Sequence, residues 1–159
     1  MHGQQEGGEK MSNISDFLIS TRRMIKLHEN MLREIGQAYD LSLTEAIIIS
    51  FLHNNPGRDT AADIVELRML QKSNVSLAVE TLYQRGYLER NKDAADRRKI
   101  HLRLTDQADP VIADIDSQWA QFEEEMLFGI SSQERDMYIQ INEKMQKNIE
   151  KASKRREQE

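Results

Sequence analysis

The chain has 159 residues, 38% hydrophobic and 31% charged, with a net charge of −5 and a mean hydropathy of −0.70. It holds no Cys, which excludes disulfides and thiolate metal sites, and no apolar run nears the roughly 18–20 residues a membrane helix needs. One domain with helical extensions is expected at this length, in the cytoplasm.

Residues 1–11 are rich in Gly and Gln and have no apolar h-region, so they are expected to form a disordered tail rather than a signal peptide. From residue 12 the pattern turns helical. Phe17, Thr21, Met24, His28, Met31, Ile35 and Tyr39 recur at steps of three and four, predicting an amphipathic helix over 12–40. Ser42 and Glu45 form a capping box ahead of TEAIIISFLHNN, which Pro56 and Gly57 stop. Thr60 and Asp63 form another ahead of AADIVELRM. A break near Leu70 and Gln71 precedes a second short helix in KSNVSLAVETLYQRG, with Ser73 or Asn74 near its cap and Gly86 as its stop. Two short helices across a tight turn make a helix-turn-helix pattern.

Tyr87 to Glu89 read as a strand, Asn91 to Asp96 as a loop and Lys99 to Leu104 as the return strand. Ile100, Leu102 and Leu104 are expected to close the core. Thr105 is expected to cap the next helix, in which Val111, Ile115, Trp119, Phe122 and Met126 lie near heptad spacing before Gly129 breaks it. Pro110 fits the first turn and shifts the helix start by a residue or two. A third capping box, Ser131 and Glu134, opens a last helix carrying Met137, Ile141, Met145 and Ile149, and residues 153–159 form a charged tail expected to fray. The fold class is therefore mainly α with a small β-hairpin wing. A winged helix-turn-helix core at 41–105 is flanked by an N-terminal helix (12–40) and C-terminal helices (106–152) that serve dimerisation.

Charge is segregated along this plan. From Arg85 to Arg103 there are seven Lys/Arg against three Asp/Glu, net +4, so the remainder carries −9. A positive zone on an acidic body suits a polyanion. Arg97 or Arg98 at the hairpin tip suits a minor groove. On the recognition-type helix at 72–85, Lys72, Ser73, Asn74, Ser76, Leu77 and Thr81 lie off the apolar face, together with the acidic Glu80. Lys72 suits a phosphate, Ser and Asn suit phosphates or base edges, and Leu77 suits a thymine methyl. The apolar stripes of the arms exceed what the winged core can cover. That predicts a homodimer whose two recognition helices read a pseudo-palindromic double-stranded DNA operator.

The run Asp96-Arg97-Arg98-Lys99-Ile100-His101-Leu102-Arg103-Leu104-Thr105 resembles the D-x-R-x-x-x-L-x-L-T wing pattern of the MarR (multiple antibiotic resistance regulator) family. SNVSLAVETLYQRGYLER is similar to that family's recognition helix and first wing strand, and the likeness in element order covers about residues 12–150. The resemblance implies a ligand-responsive transcriptional repressor with wing 91–99 in the minor groove. It selects Arg98 as the inserted residue, oriented by Asp96, and leaves Arg97 and Lys99 to phosphates. It also implies a small-molecule effector cleft between the arms and the winged core. Met24, His28, Met31, Tyr39, Phe51 and Trp119 are the candidate lining, though such side chains are also the ordinary filling of a core. The chain departs from the family at Leu77 and Thr81, where Arg is frequent, and at Ala108, where the family has Gly after the L-T pair. No H-E-x-x-H, G-x-S-x-G, Walker or Rossmann pattern occurs, so no enzyme activity, cofactor or metal is expected. A winged-helix protein-interaction adaptor without specific DNA binding is the second reading.

Overall fold

The computed structural model describes residues 6–157, with side chains described from residue 14 onward. In chain order it holds α1 (Glu6–Ala38), α2 (Leu43–Asn54), α3 (Ala61–Arg68), α4 (Lys72–Gln84), β1 (Leu88–Lys92), β2 (Ile100–Leu104), a 3-10 turn (Asp106–Ala108), α5 (Asp109–Met126) and α6 (Ser132–Arg156). By contact the chain divides into two compact units, residues 1–120 and 121–159.

The first unit holds the winged core, and α2 is its axle. Ala46 to Phe51 are all buried, so this helix is enclosed on every side, as the uninterrupted Ile47-Ile48-Ile49 run requires. Around it pack Leu32 and Ile35 of α1, Ile64 of α3, Val75, Val79 and Leu82 of α4, Leu88 and Leu102 of the hairpin, and Val111 and Ile115 of α5. All three capping boxes form, with the Ser or Thr side chain accepting from the N3 amide and the acid accepting from the cap amide.

Two helix ends use the same device. The amide of Leu41 donates to the Gly36 carbonyl and that of Asp40 to Gln37, with Asp40 left-handed at φ 55°. The amide of Tyr87 donates to Leu82 and that of Gly86 to Tyr83, with Gly86 at φ 79°. Both are Schellman endings, and each delivers a buried residue, Leu41 or Tyr87, straight into the core. Gly36 is needed for a different reason: a Cβ there would meet the Leu41 carbonyl oxygen at 2.8 Å.

Several expectations are corrected. Helix α1 begins at Glu6 rather than at residue 12, because extending an existing helix needs no new nucleus; residues 1–5 of the expected tail lie outside the described residues. Helix α6 continues to Arg156, past the expected fraying point at 153. Lys154, Arg155 and Arg156 in its last turn oppose the negative end of the helix dipole; residues 158–159 lie outside the described residues. Helix α4 is capped by Gln71 with no side-chain bond, not by Ser73 or Asn74. The left-handed Met69 (φ 52°) turns the chain so tightly that Ser73 and Asn74 already lie inside the first helical turn.

The hairpin strands pair antiparallel with Leu88 opposite Leu104, Arg90 opposite Leu102 and Lys92 opposite Ile100. Asn91 and Lys92, expected in the loop, belong to β1. Leu102 is buried and Leu104 half-buried, but Ile100 is exposed, because it sits at the strand end that projects beyond the core. Thr105 does not cap through its side chain. Its hydroxyl donates back to the Gly86 carbonyl and its amide donates to Tyr87, tying the hairpin base to the end of α4.

The second unit contains the end of α5 and all of α6. Helix α6 has no buried residue, and Met137, Tyr138, Ile141 and Ile149 stand exposed along it.

Candidate nucleic-acid interface

Helix α4 presents Lys72, Ser73, Asn74, Ser76 and Leu77 to solvent, while Val75, Ala78, Val79 and Leu82 anchor the opposite face. Leu77 is an apolar side chain left 70% exposed. Thr81 is half-buried, and its hydroxyl donates to the Leu77 carbonyl one turn back, so its donor is already engaged.

Glu80 is not a bare charge on this face. Its carboxylate accepts from Arg90 of β1 at 2.7 Å and from Gln84 at 2.9 Å, and the Arg90 guanidinium lies 4.6 Å from the centroid of the Tyr83 ring. The Arg90 hydrogen bond, seconded by Gln84, holds the Glu80 carboxyl below its ordinary range. Arg90 therefore ties the wing strand to the outer face of α4. Arg85 is likewise committed to structure, donating to the Asp40 and Tyr39 carbonyls at the end of α1. Of the seven basic residues in this zone, these two are spent internally.

The wing loop, residues 93–99, is ordered by its own carboxylates. Asp93 Oδ1 accepts from the amides of Ala95 and Asp96, and the amide of Asp93 donates to the Lys99 carbonyl. Asp96 Oδ1 accepts from the amide of Arg98 at 3.0 Å and, more loosely, from its Nε at 3.4 Å. These Asx turns shape the tip. Arg97, Arg98 and Lys99 all stand exposed there, with the Arg98 side chain 94% exposed.

One residue at the wing base was missed from sequence. His101 Nδ1 lies 2.7 Å from Asp59 Oδ1, in the α2–α3 loop, and its Nε2 lies 3.0 Å from Asp93 Oδ2. Next to it the amide of Leu102 donates to the Asp59 carbonyl at 2.7 Å. The hydrogen bonds from Asp93 and then Asp59 raise the His101 pKa above its ordinary value. Asp93 is held well below the usual carboxylate range, first by His101 and then by the amides of Asp96 and Ala95.

The expected effector residues do not all meet. His28 and Trp119 are ring neighbours at 4.7 Å between centroids, and Arg68 of α3 lies 5.6 Å from the centroid of the Phe51 ring. Burial first, then the nearby Arg68 charge, lowers the His28 pKa; burial lowers that of Arg68. Arg68 Nε, Ser50 Oγ and Gln118 Oε1 are buried without a hydrogen-bond partner among the described residues. Met24 and Met31 are half-buried on α1, one turn either side of His28. Tyr39 stands apart, its hydroxyl on Asp114 at 2.7 Å and on the Pro110 carbonyl. A separate open cavity of about 360 Å³ is bounded by Leu52, His53, Asp59, Leu102, Leu104 and Ile112, and none of the six expected residues lines it. Among the described residues, no group of three His, Asp or Glu is placed to hold a metal, and no helix is long and apolar enough to cross a membrane.

A family model described as MarR family matches residues 39–99, from the turn after α1 through the wing loop. Three solved structures share the fold over most of the chain. The transcriptional regulator PA3341 is 23% identical, with 87% of this chain and 98% of the other covered at a TM-score of 0.72. A MarR family transcriptional regulator from Silicibacter pomeroyi is 21% identical, with 92% and 97% covered at 0.74. BpsR of Bordetella bronchiseptica, whose DNA binding is regulated by 6-hydroxynicotinic acid, is 21% identical, with 84% and 98% covered at 0.59. At these identities the likeness speaks for the fold, and the family match falls on the segment that carries the helix-turn-helix and the wing. The MarR family model thus covers the helix-turn-helix and the wing, and the fold around them is similar to that of these solved regulators.

Proposed function

We propose that this protein is a sequence-specific DNA-binding transcriptional repressor that works in the cytoplasm as a homodimer. Helix α4 enters the major groove of an operator half-site and the wing reaches the adjacent minor groove. The observation that carries this reading is the Arg90–Glu80 pair. It joins the exposed face of α4 to a wing whose free cations are at its tip, so both elements address one ligand. Lys72, Arg97 and Lys99 meet phosphates. Ser73, Asn74 and Ser76 meet base edges or phosphates, Leu77 packs on a thymine methyl, and Thr81 offers its remaining acceptor capacity. Arg98, held by Asp96, inserts into the minor groove. The experiment is fluorescence anisotropy with labelled fragments of the DNA flanking the protein's own gene. Tight binding to one fragment, falling steeply with salt, supports the reading. No binding to any fragment at low salt leaves the adaptor reading in its place.

Repressor control needs an effector site, and the neighbourhood of His28, Phe51, Arg68 and Trp119 is the best supported. It combines aromatic walls with a half-buried guanidinium whose Nε lacks a protein acceptor, a chemistry suited to a small aromatic anion. Because Trp119 is the single Trp of the chain, its fluorescence reports on this neighbourhood alone. Titration with small aromatic carboxylates is expected to change that emission and to release DNA. Arg68→Met is expected to weaken the response about tenfold or more, as loss of a charge-assisted hydrogen bond would. An unchanged response in Arg68→Met places the effector elsewhere.

A further inference from the structure

The hydrogen-bonding capacity of one imidazole decides what His101 does. Both ring nitrogens face carboxylate oxygens at hydrogen-bond distance, Asp59 on one side and Asp93 on the other. A carboxylate only accepts, so each contact needs an N–H. A neutral imidazole has one N–H and one bare lone pair; only the imidazolium has two donors. The observed geometry is therefore that of a cation between two anions. Loss of its proton would set one carboxylate against a lone pair.

What the two carboxylates hold gives the contact its consequence. Asp93 is the residue whose other oxygen gathers the Ala95 and Asp96 amides, and Asp96 in turn takes the Arg98 amide. Asp59 directly precedes Thr60, the cap of α3, and its carbonyl already receives the Leu102 amide. His101 is thus the link between the wing loop and the fixed chain ahead of the helix-turn-helix. The other groups around it are accounted for. Asn91 lies opposite on β1, Arg103 shares its side of the strand, and Glu89 is opposite Arg103. On α3, Asp63 is occupied by the Thr60 hydroxyl and amide, with Arg58 at 3.7 Å.

We propose that His101 is a positioning residue, a protonation-dependent clamp that aims the wing loop, so that operator affinity falls as His101 loses its proton. The proposal rests on the DNA-binding reading above. The raised pKa fixes the direction: the clamp is complete below the ordinary histidine value of 6.5 and is lost as pH rises through the higher folded-state value.

The test has two arms. In free protein, NMR follows the His101 ring together with the Ala95, Asp96 and Arg98 amides between pH 5.5 and 9. His101 is expected to titrate above 6.5, with the wing amides shifting in step. In the second arm, anisotropy gives operator affinity at constant ionic strength over the same range. Wild type is expected to lose about threefold to tenfold in affinity as His101 deprotonates. His101→Gln, whose amide has one donor face and one acceptor face, is expected to bind at the weaker level throughout, with a flat profile. Asp59→Asn, which leaves the wing's own turn intact, is expected to flatten it too. A His101 that titrates at or below 6.5, wing amides that ignore it, or the same pH profile in His101→Gln overturns the clamp. If no DNA binds at any pH, the DNA-binding reading has failed, and the NMR arm still decides whether the clamp exists.

Discussion

Arg98→Ala is expected to lower operator affinity about tenfold to a hundredfold, the cost of one good groove contact. The structure makes this a clean experiment. The Arg98 side chain is 94% exposed and meets Asp96 through a loose 3.4 Å contact, so truncation removes little from the folded protein. The turn survives, because the Asp96 bond that shapes it goes to the Arg98 amide, which alanine retains. Thermal stability should therefore be unchanged, within the ±0.5 kcal/mol usual for surface sites. The loss should fall on all A·T-rich operator variants alike, since the minor groove distinguishes bases poorly. Asn74→Ala should differ in kind. It should alter the ranking of operator sequences while leaving binding to unrelated DNA nearly as it was. Unchanged operator affinity in Arg98→Ala would remove the wing from the interface.

How far the residues disclosed this arrangement depends on how local each interaction is. The three capping boxes are legible because donor and acceptor lie three residues apart. The hairpin is legible because alternation and a polar turn are short-range signals, and the Asp96–Arg98 pair spans two residues. Helix α2 is legible as buried because an Ile triplet leaves a short helix no polar side. The misses are tertiary. Asp59 and His101 are 42 residues apart, and nothing in either local pattern marks the other. The charge of Glu80 reads as adverse to DNA until the register of β1 brings Arg90 beside it. Asp93 to His101 is the exception: eight residues across a tight hairpin is a pairing that the turn prediction could have offered.

The same distinction explains the uneven outcome for the effector residues. Helical periodicity places His28 and Tyr39 on one face of α1, but it does not say what lies opposite. His28 meets Trp119, whereas Tyr39, near the end of α1, meets Asp114. Arg68, which supplies the polar character of the neighbourhood, sits at the end of a short helix of otherwise weak pattern. A half-buried guanidinium whose buried Nε has no partner among the described residues is visible only once the packing around it is known.

The largest expected effect belongs to the assembly. Helix α6 has no buried residue, and Met137, Ile141, Met145 and Ile149 follow one another at four-residue steps, three of them exposed. Ile14, Phe17, Leu18 and Ile25 are exposed on α1. Exposed apolar stripes of this length mark an interaction surface. On the proposed reading the partner is a second copy, and DNA affinity depends on it, because the second half-site binds intramolecularly once the first is engaged. Replacing Ile141 and Ile149 together by Glu puts two charges where that interface should lie, without touching any core residue of the winged unit. Light scattering should then give a particle near the chain mass of 18.5 kDa instead of twice that value. Thermal melting of the winged unit should persist, and operator affinity should fall by about two to four orders of magnitude while binding to a single half-site is retained. A double variant that stays dimeric with wild-type affinity would show that these helix faces serve another purpose.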